Sequence, residues 1–190
     1  MTLLLEQRLA GIAAATPWFM DALHAAASFG LESWCIGAGV VRNLVWDHLH
    51  GYAAPSQLAD IDLAYFDAAN LDGEREADLQ RCLSQLMPSQ KWEVTNQARV
   101  HLWFEQYFGH PVDALTSLDE AVASWPEYAT SVGVFLDSSA ALNIIAPHGL
   151  EDLFSMTIRR NPARVSLETY RERIEQKQYL KRWPQATVIF

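Results

Sequence analysis

The stretch from Cys35 to Asp67, CIGAGVVRNLVWDHLHGYAAPSQLADIDLAYFD, limits what this chain can fold into more than any other. Ser33 to Ile36 reads as a strand running into Gly37-Ala38-Gly39. After that turn Val40, Val41, Leu44, Val45 and Leu49 recur at three- and four-residue intervals, which is one buried stripe of a helix. Gly51 stands where a left-handed helix cap is common, and a loop from Tyr52 to Ala59 leads to IDLAYF, which reads as a central strand. That second strand opens with Asp60 and Asp62, one residue apart and so on the same face. A glycine turn at a helix start offers backbone N–H groups to a phosphate. Paired carboxylates offer oxygen ligands to a hard cation such as Mg²⁺. The combination predicts nucleotide chemistry.

The remaining chain is expected to complete one compact α/β unit over residues 1–190, with a core of about 30–158 and a basic helical tail at 159–190. Leu3 to Ala27 reads as helix divided at Pro17, with Thr16 as the cap of the second half and Pro at its favoured first position. Asp72 is a cap for a helix with the stripe Leu79, Cys82, Leu83, Leu86 and Met87, stopped by Pro88. Trp92 to Trp103 has a period of two that puts Glu93, Thr95, Gln97, Arg99 and His101 on one strand face. Arg99 and His101 are then either substrate contacts or an exposed face with an ion pair to Glu93 or Glu105. Ser117 and Glu120 form a capping-box pattern, and SVGVFLD and ALNIIAP flank a hairpin turn. Helices are predicted from Gly149 to Ile158 and from about Ser166 to Leu180.

Half of the 190 residues are apolar, and seven are Trp, which argues against disorder. The net charge of -9 is uneven: residues 1–158 hold 6 Lys/Arg against 20 Asp/Glu, and residues 159–190 hold 8 against 3. An acidic body disfavours broad binding to duplex DNA, while the basic tail suits a small anion or simply packs over the body as a solvated helix face. Cys35 and Cys82 match no metal or redox spacing and predict buried, reduced thiols. No run reaches membrane-spanning length and the start has no positive leader, so a cytoplasmic protein without membrane contact is expected.

GAGVVR followed by an acid resembles a dinucleotide fingerprint only superficially. Arg42 replaces the third glycine needed for close helix–strand packing, and the acids open the second strand instead of ending it. The order G-A-G-V-V-R-N then D-I-D instead resembles the glycine turn and paired aspartates of the DNA polymerase β-like nucleotidyltransferase superfamily. IGAGVVRNLVWDHLHG, DIDLAYFD, WEVTNQARVHLWF, EYATSVGV and IIAPHGLEDLF, in that order from about residue 30 onward, resemble a bacterial nucleotidyltransferase-like family of unsettled substrate.

That resemblance implies an α+β fold with a small mixed sheet flanked by helices. It implies Asp60 and Asp62 as ligands of Mg²⁺ (or Mn²⁺) and an NTP as substrate. It implies Gly37, Ala38, Gly39, Arg42 and Asn43 as the nucleotide-binding turn, with Asn43 standing where tRNA-tailing relatives often carry aspartate. The third carboxylate is first sought at Glu93, second at Asp113; Asn143 stands where some relatives have their acid. The acceptor is left open among a small molecule, a protein and an RNA end, as is the oligomeric state. The alternative reading is a catalytically impaired nucleotide-binding or antitoxin-like protein of the same fold.

Overall fold

The computed structural model describes residues 2–190. Its centre is a five-stranded sheet of β1 (Trp34–Gly37), β2 (Ile61–Tyr65), β3 (Trp92–Asn96), β4 (Gly133–Leu136) and β5 (Leu142–Ile145). The spatial order is β3-β2-β1-β4-β5. β2 and β3 are parallel, and the other pairings are antiparallel. The sheet is therefore mixed, as the resemblance implies.

Alternation along each strand sorts the side chains onto two unlike faces. Trp34, Ile36, Ile61, Leu63, Tyr65, Trp92, Val94, Val134 and Leu136 enter the main core. That core is closed by α1 (Thr2–Ala14), α2 (Pro17–Ala27), α3 (Gly39–Leu49) and α4 (Gly73–Leu86). On the other face Cys35 and Ala64 meet only Leu118 and Val122 of α6 (Leu118–Ala123), bordered by Phe66, Trp125, Phe135 and Ile145. The thinly covered face is where Asp62 and Glu93 project.

The division at Pro17 is observed, but Thr16 does not cap α2; its hydroxyl donates back to the Ile12 carbonyl at 2.8 Å. Asp72 does cap α4, accepting from Glu74 N–H. Along α4 only Leu79 and Leu83 are buried, and Leu86 is exposed, because the helix touches the sheet edge over a narrow stripe. The strand predicted for Trp92 to Trp103 ends at Asn96, where a 3₁₀ helix, Gln97–Leu102, begins. Asn96 forces the change. Its side chain accepts from the N–H groups of Asp67 and Ala98 and donates to the Asp67 and Asn70 carbonyls, so the chain turns around a buried amide. Arg99 leaves Glu93's face and pairs with Glu76. A short helix α5 (Phe104–Phe108) follows the 3₁₀ turn.

Ser117 caps α6 through Glu120 N–H, while the Glu120 carboxylate reaches the backbone of Thr116, not of Ser117. The hairpin is observed as β4–β5. The helix predicted from Gly149 to Ile158 shrinks to α7 (Glu151–Phe154); Met156 takes a positive φ of 55° and the chain continues as β6 (Thr157–Arg159). The C-terminal helix splits at Gln178 into α8 (Leu167–Lys177) and α9 (Tyr179–Arg182). β7 (Thr187–Ile189) then returns to lie parallel to β6. Cys35 is buried as expected, while Cys82 is only half-buried.

This C-terminal segment explains why α3 is buried nearly all round, from Val40 to Asp47. The sheet covers one side; Tyr179 and Trp183 cover another. Trp46 packs edge-on to Trp183 at 5.3 Å and donates its indole N–H to the Leu153 carbonyl. Asp47 accepts from the Trp183 indole at 2.7 Å and from Ser56 N–H at 2.7 Å. Glu127, 1% exposed, accepts from Arg173, Tyr179 and Thr130. Burial works to raise its carboxyl, but the Arg173 guanidinium and these hydrogen bonds hold it below the ordinary range.

Candidate active site

Strand register brings the sequence-predicted acids together. Asp62 on β2 pairs with Glu93 on β3 to one side and with Gly37 on β1 to the other, and Gly37 pairs with Gly133 on β4. Ile61 N–H donates to the Lys91 carbonyl at 2.7 Å, which locks the start of β2 against the start of β3. One oxygen each from Asp60, Asp62 and Glu93 lies within 4.8 Å of the others. Asp60 itself precedes the strand instead of belonging to it. Asp113 is not part of this group; it lies in a loop where its carbonyl accepts from Arg164. Asn143 sits three strands away from Asp62 on β5, bonded to Asp137 at the hairpin turn.

The electrostatics of the cluster are those of carboxylates crowded against one another. Burial, then the neighbouring Asp60 and Glu93 charges, push the Asp62 carboxyl up from 3.8 to about 7. Lys177 and Arg42 act in the opposite direction. An all-oxygen set whose members repel one another fits a hard divalent cation, which takes carboxylate ligands and relieves the repulsion. Beneath the cluster, burial and the charges of Asp119 and Asp62 push the Cys35 thiol far above its usual range, so it stays protonated and inert.

The glycine turn carries its strain at an unexpected residue. Ala38 has φ 57° and ψ -124°, a conformation that non-glycine residues rarely hold and that costs about 1–3 kcal/mol. Its N–H donates to the Val132 carbonyl and its carbonyl accepts from Arg42 N–H, so both neighbours hold it there. Gly37 is required by packing: a Cβ would lie 2.6 Å from the Trp125 ring and 2.8 Å from the Val132 carbonyl. At Gly39 the nearest atom would be Arg42 Nη2 at 3.6 Å, an ordinary contact. Ala38 has no side-chain oxygen to cap α3, so the first N–H groups of that helix face the turn without an internal partner.

Arg42 and Asn43 are both buried. The Arg42 guanidinium lies over Tyr179, Trp183 and Trp46 at 4.9–5.6 Å and donates to the Asn43 side chain at 2.7 Å.

A family model described as nucleotidyltransferase matches residues 24–188. No curated protein matches the sequence. Among solved structures, an NMR structure reported to reveal a CCA-adding enzyme head domain superposes with a TM-score of 0.81 at 26% identity, covering 96% of this chain and 95% of the other. A structure of a tRNA-processing enzyme complex superposes with a TM-score of 0.52 at 18% identity, covering 88% of this chain and 43% of the other, a likeness of fold alone. With the family model matching residues 24–188, most of its length, the chain belongs to the nucleotidyltransferase family.

Proposed function

We propose that this enzyme transfers a nucleoside monophosphate from an NTP to an acceptor hydroxyl with the help of Mg²⁺ or Mn²⁺. The observation that carries the reading is the convergence of Asp60, Asp62 and Glu93 next to the glycine turn. Asp60 and Asp62 would hold the cation, with Glu93 completing the set. The cation supplies charge neutralisation on the phosphates and activation of the attacking oxygen. The free N–H groups of the first turn of α3 receive phosphate oxygens, and the helix dipole favours the negative charge there. The bond from acceptor oxygen to α-phosphorus forms as the bond to pyrophosphate breaks, and the acceptor proton passes to the Glu93 carboxylate. Because phosphoryl-type transfer depends mainly on positioning and charge, these residues suffice for the step.

A third acid within reach of the first two supports the enzyme reading over a catalytically impaired binding protein. The CCA-adding head domain among the similar structures makes an RNA 3′ end the first acceptor to test, before small molecules and proteins. Incubation with α-labelled NTPs, Mg²⁺ or Mn²⁺ and a cytoplasmic extract is expected to label one fraction. Asp60→Ala and Asp62→Ala are expected to abolish that label. Equal labelling by both variants would refute the assignment.

A further inference from the structure

One rung of the sheet crosses the site from edge to edge. Ile145 on β5 pairs with Gly133 on β4, Gly133 with Gly37 on β1, Gly37 with Asp62 on β2, and Asp62 with Glu93 on β3. Directly opposed residues share a face, so the two glycines make a bare floor on the thinly covered side, immediately beside the acids. Trp125 occupies that floor. A Cβ on Gly37 would lie 2.6 Å from Cη2 and from Cζ3 of its ring, so the outer edge of the indole rests on the glycine that Asp62 pairs with. The ring therefore stands within one strand spacing of Asp62.

The indole is set there from behind. Asn161, 3% exposed, donates its side-chain amide to the Ala123 carbonyl at 2.6 Å and to the Trp125 carbonyl at 2.9 Å. Its backbone N–H donates to the Pro126 carbonyl at 2.9 Å, so a buried side chain fixes the turn that follows α6. Trp125 itself is only half-buried. The indoles of Trp46 and Trp183 donate to the Leu153 carbonyl and to Asp47, whereas that of Trp125 has no hydrogen-bond partner among the described residues. A rigidly set ring with an open flank and a free donor, one strand from the acids, is a surface for a ligand.

The direction of the transfer decides which substrate it meets. The acceptor gives its proton to Glu93 and so enters over β3, while in-line displacement sends pyrophosphate away on the opposite side. Trp125 stands on the β1 side of Asp62, away from the acceptor. An indole brings no charge to phosphates, but its π surface and single N–H donor suit a nucleobase and its ribose. We propose that Trp125 is a substrate-binding residue, its indole packing against the nucleoside end of the NTP while the glycine turn takes the phosphates. The proposal rests on the nucleotidyltransferase reading. Because every base has a π face, this contact grips the nucleoside with little choice among the bases.

The test is equilibrium binding of α,β-imido analogues of the four NTPs, and of inorganic tripolyphosphate, each with Mg²⁺, to wild type, Trp125→Ala and Trp125→Phe. Loss of the ring is expected to weaken nucleotide binding by about 5- to 100-fold in Trp125→Ala. Tripolyphosphate binding is expected to hold, and Trp125→Phe to recover most of the loss. Should Trp125→Ala fail to fold, Trp125→Phe still decides the matter by fluorescence. Nucleotides, and not tripolyphosphate, are expected to quench wild-type indole emission, and Trp125→Phe to lose that quenching. Wild-type nucleotide affinity in Trp125→Ala, or quenching retained in Trp125→Phe, would overturn the role of Trp125 and leave the enzyme reading intact. Equal losses for nucleotide and tripolyphosphate would make Trp125 a support of the glycine turn and overturn the role too. Absence of nucleotide binding by wild type would overturn both.

Discussion

The Asp62 carboxyl, pushed up to about 7 by burial, Asp60 and Glu93, makes the stability of the cation-free protein depend on pH in an unusual direction. In the unfolded chain an aspartate titrates near 3.8, so the folded state binds the proton more tightly. The stabilising contribution is complete below pH 3.8 and is lost as pH rises through about 7. A gap of about 3 pH units at about 1.4 kcal/mol each gives ~4 kcal/mol, and water reaching the half-buried carboxyl screens this to about 2–4 kcal/mol. The titration belongs to the cluster of three acids as a unit. Urea unfolding in EDTA at pH 5 and pH 8 captures about two thirds of it, the part lost above pH 5. Asp62→Asn is expected to flatten the difference and to be the more stable protein at pH 8. Because a cation must displace the proton, Mg²⁺ is expected to stabilise wild type at pH 8 far more than at pH 5. An identical pH slope in wild type and Asp62→Asn, or equal Mg²⁺ stabilisation at both values, would refute the reasoning.

Three further outcomes are expected. Glu127→Gln leaves the half-buried Arg173 without its counter-charge and should cost about 1–3 kcal/mol in urea unfolding; an unchanged midpoint would show that this buried ion pair carries no energy. Gly37→Ala forces a Cβ into the Trp125 ring and the Val132 carbonyl, for about 1–3 kcal/mol. Pairing it with Trp125→Ala should recover only part of the loss, because the carbonyl remains. Asn96→Ala removes four hydrogen bonds where β3 ends and leaves buried backbone groups unpaired, at about 1–3 kcal/mol for each group that water cannot reach; amide hydrogen exchange at Asp67 and Ala98 should accelerate.

Local pattern was sufficient for the element order through β2, for the Asp72 and Ser117 caps, and for the β4–β5 hairpin, because each depends on residues a few positions apart. Alternation also placed Glu93 on the face that Asp62 shares. It failed from Gln97 to Trp103, where the period of two continued but a buried Asn96 side chain supplied hydrogen bonds that a strand would have taken from its neighbour. It failed again at Gly149 to Ile158, where Met156 breaks the helix and the backbone goes on to meet β7, thirty residues later in the chain. The acidic spacing pointed to the three carboxylates that converge in the fold. Nothing local marks the cover over α3, which depends on Arg173, Glu127 and Tyr179 meeting across the fold.

The bond between Asp47 and Trp183 spans 136 positions, and the one between Arg42 and Tyr179 spans 137. Such distant pairings form late, because the entropy of closing so long a loop must be overcome before any contact stabilises it. During synthesis the sheet and its three acids can assemble while the last segment is still being made. α3 meanwhile keeps Arg42 and Asp47 without their later partners. The acid row can therefore exist on the nascent chain before the segment around Tyr179 and Trp183 arrives to cover α3.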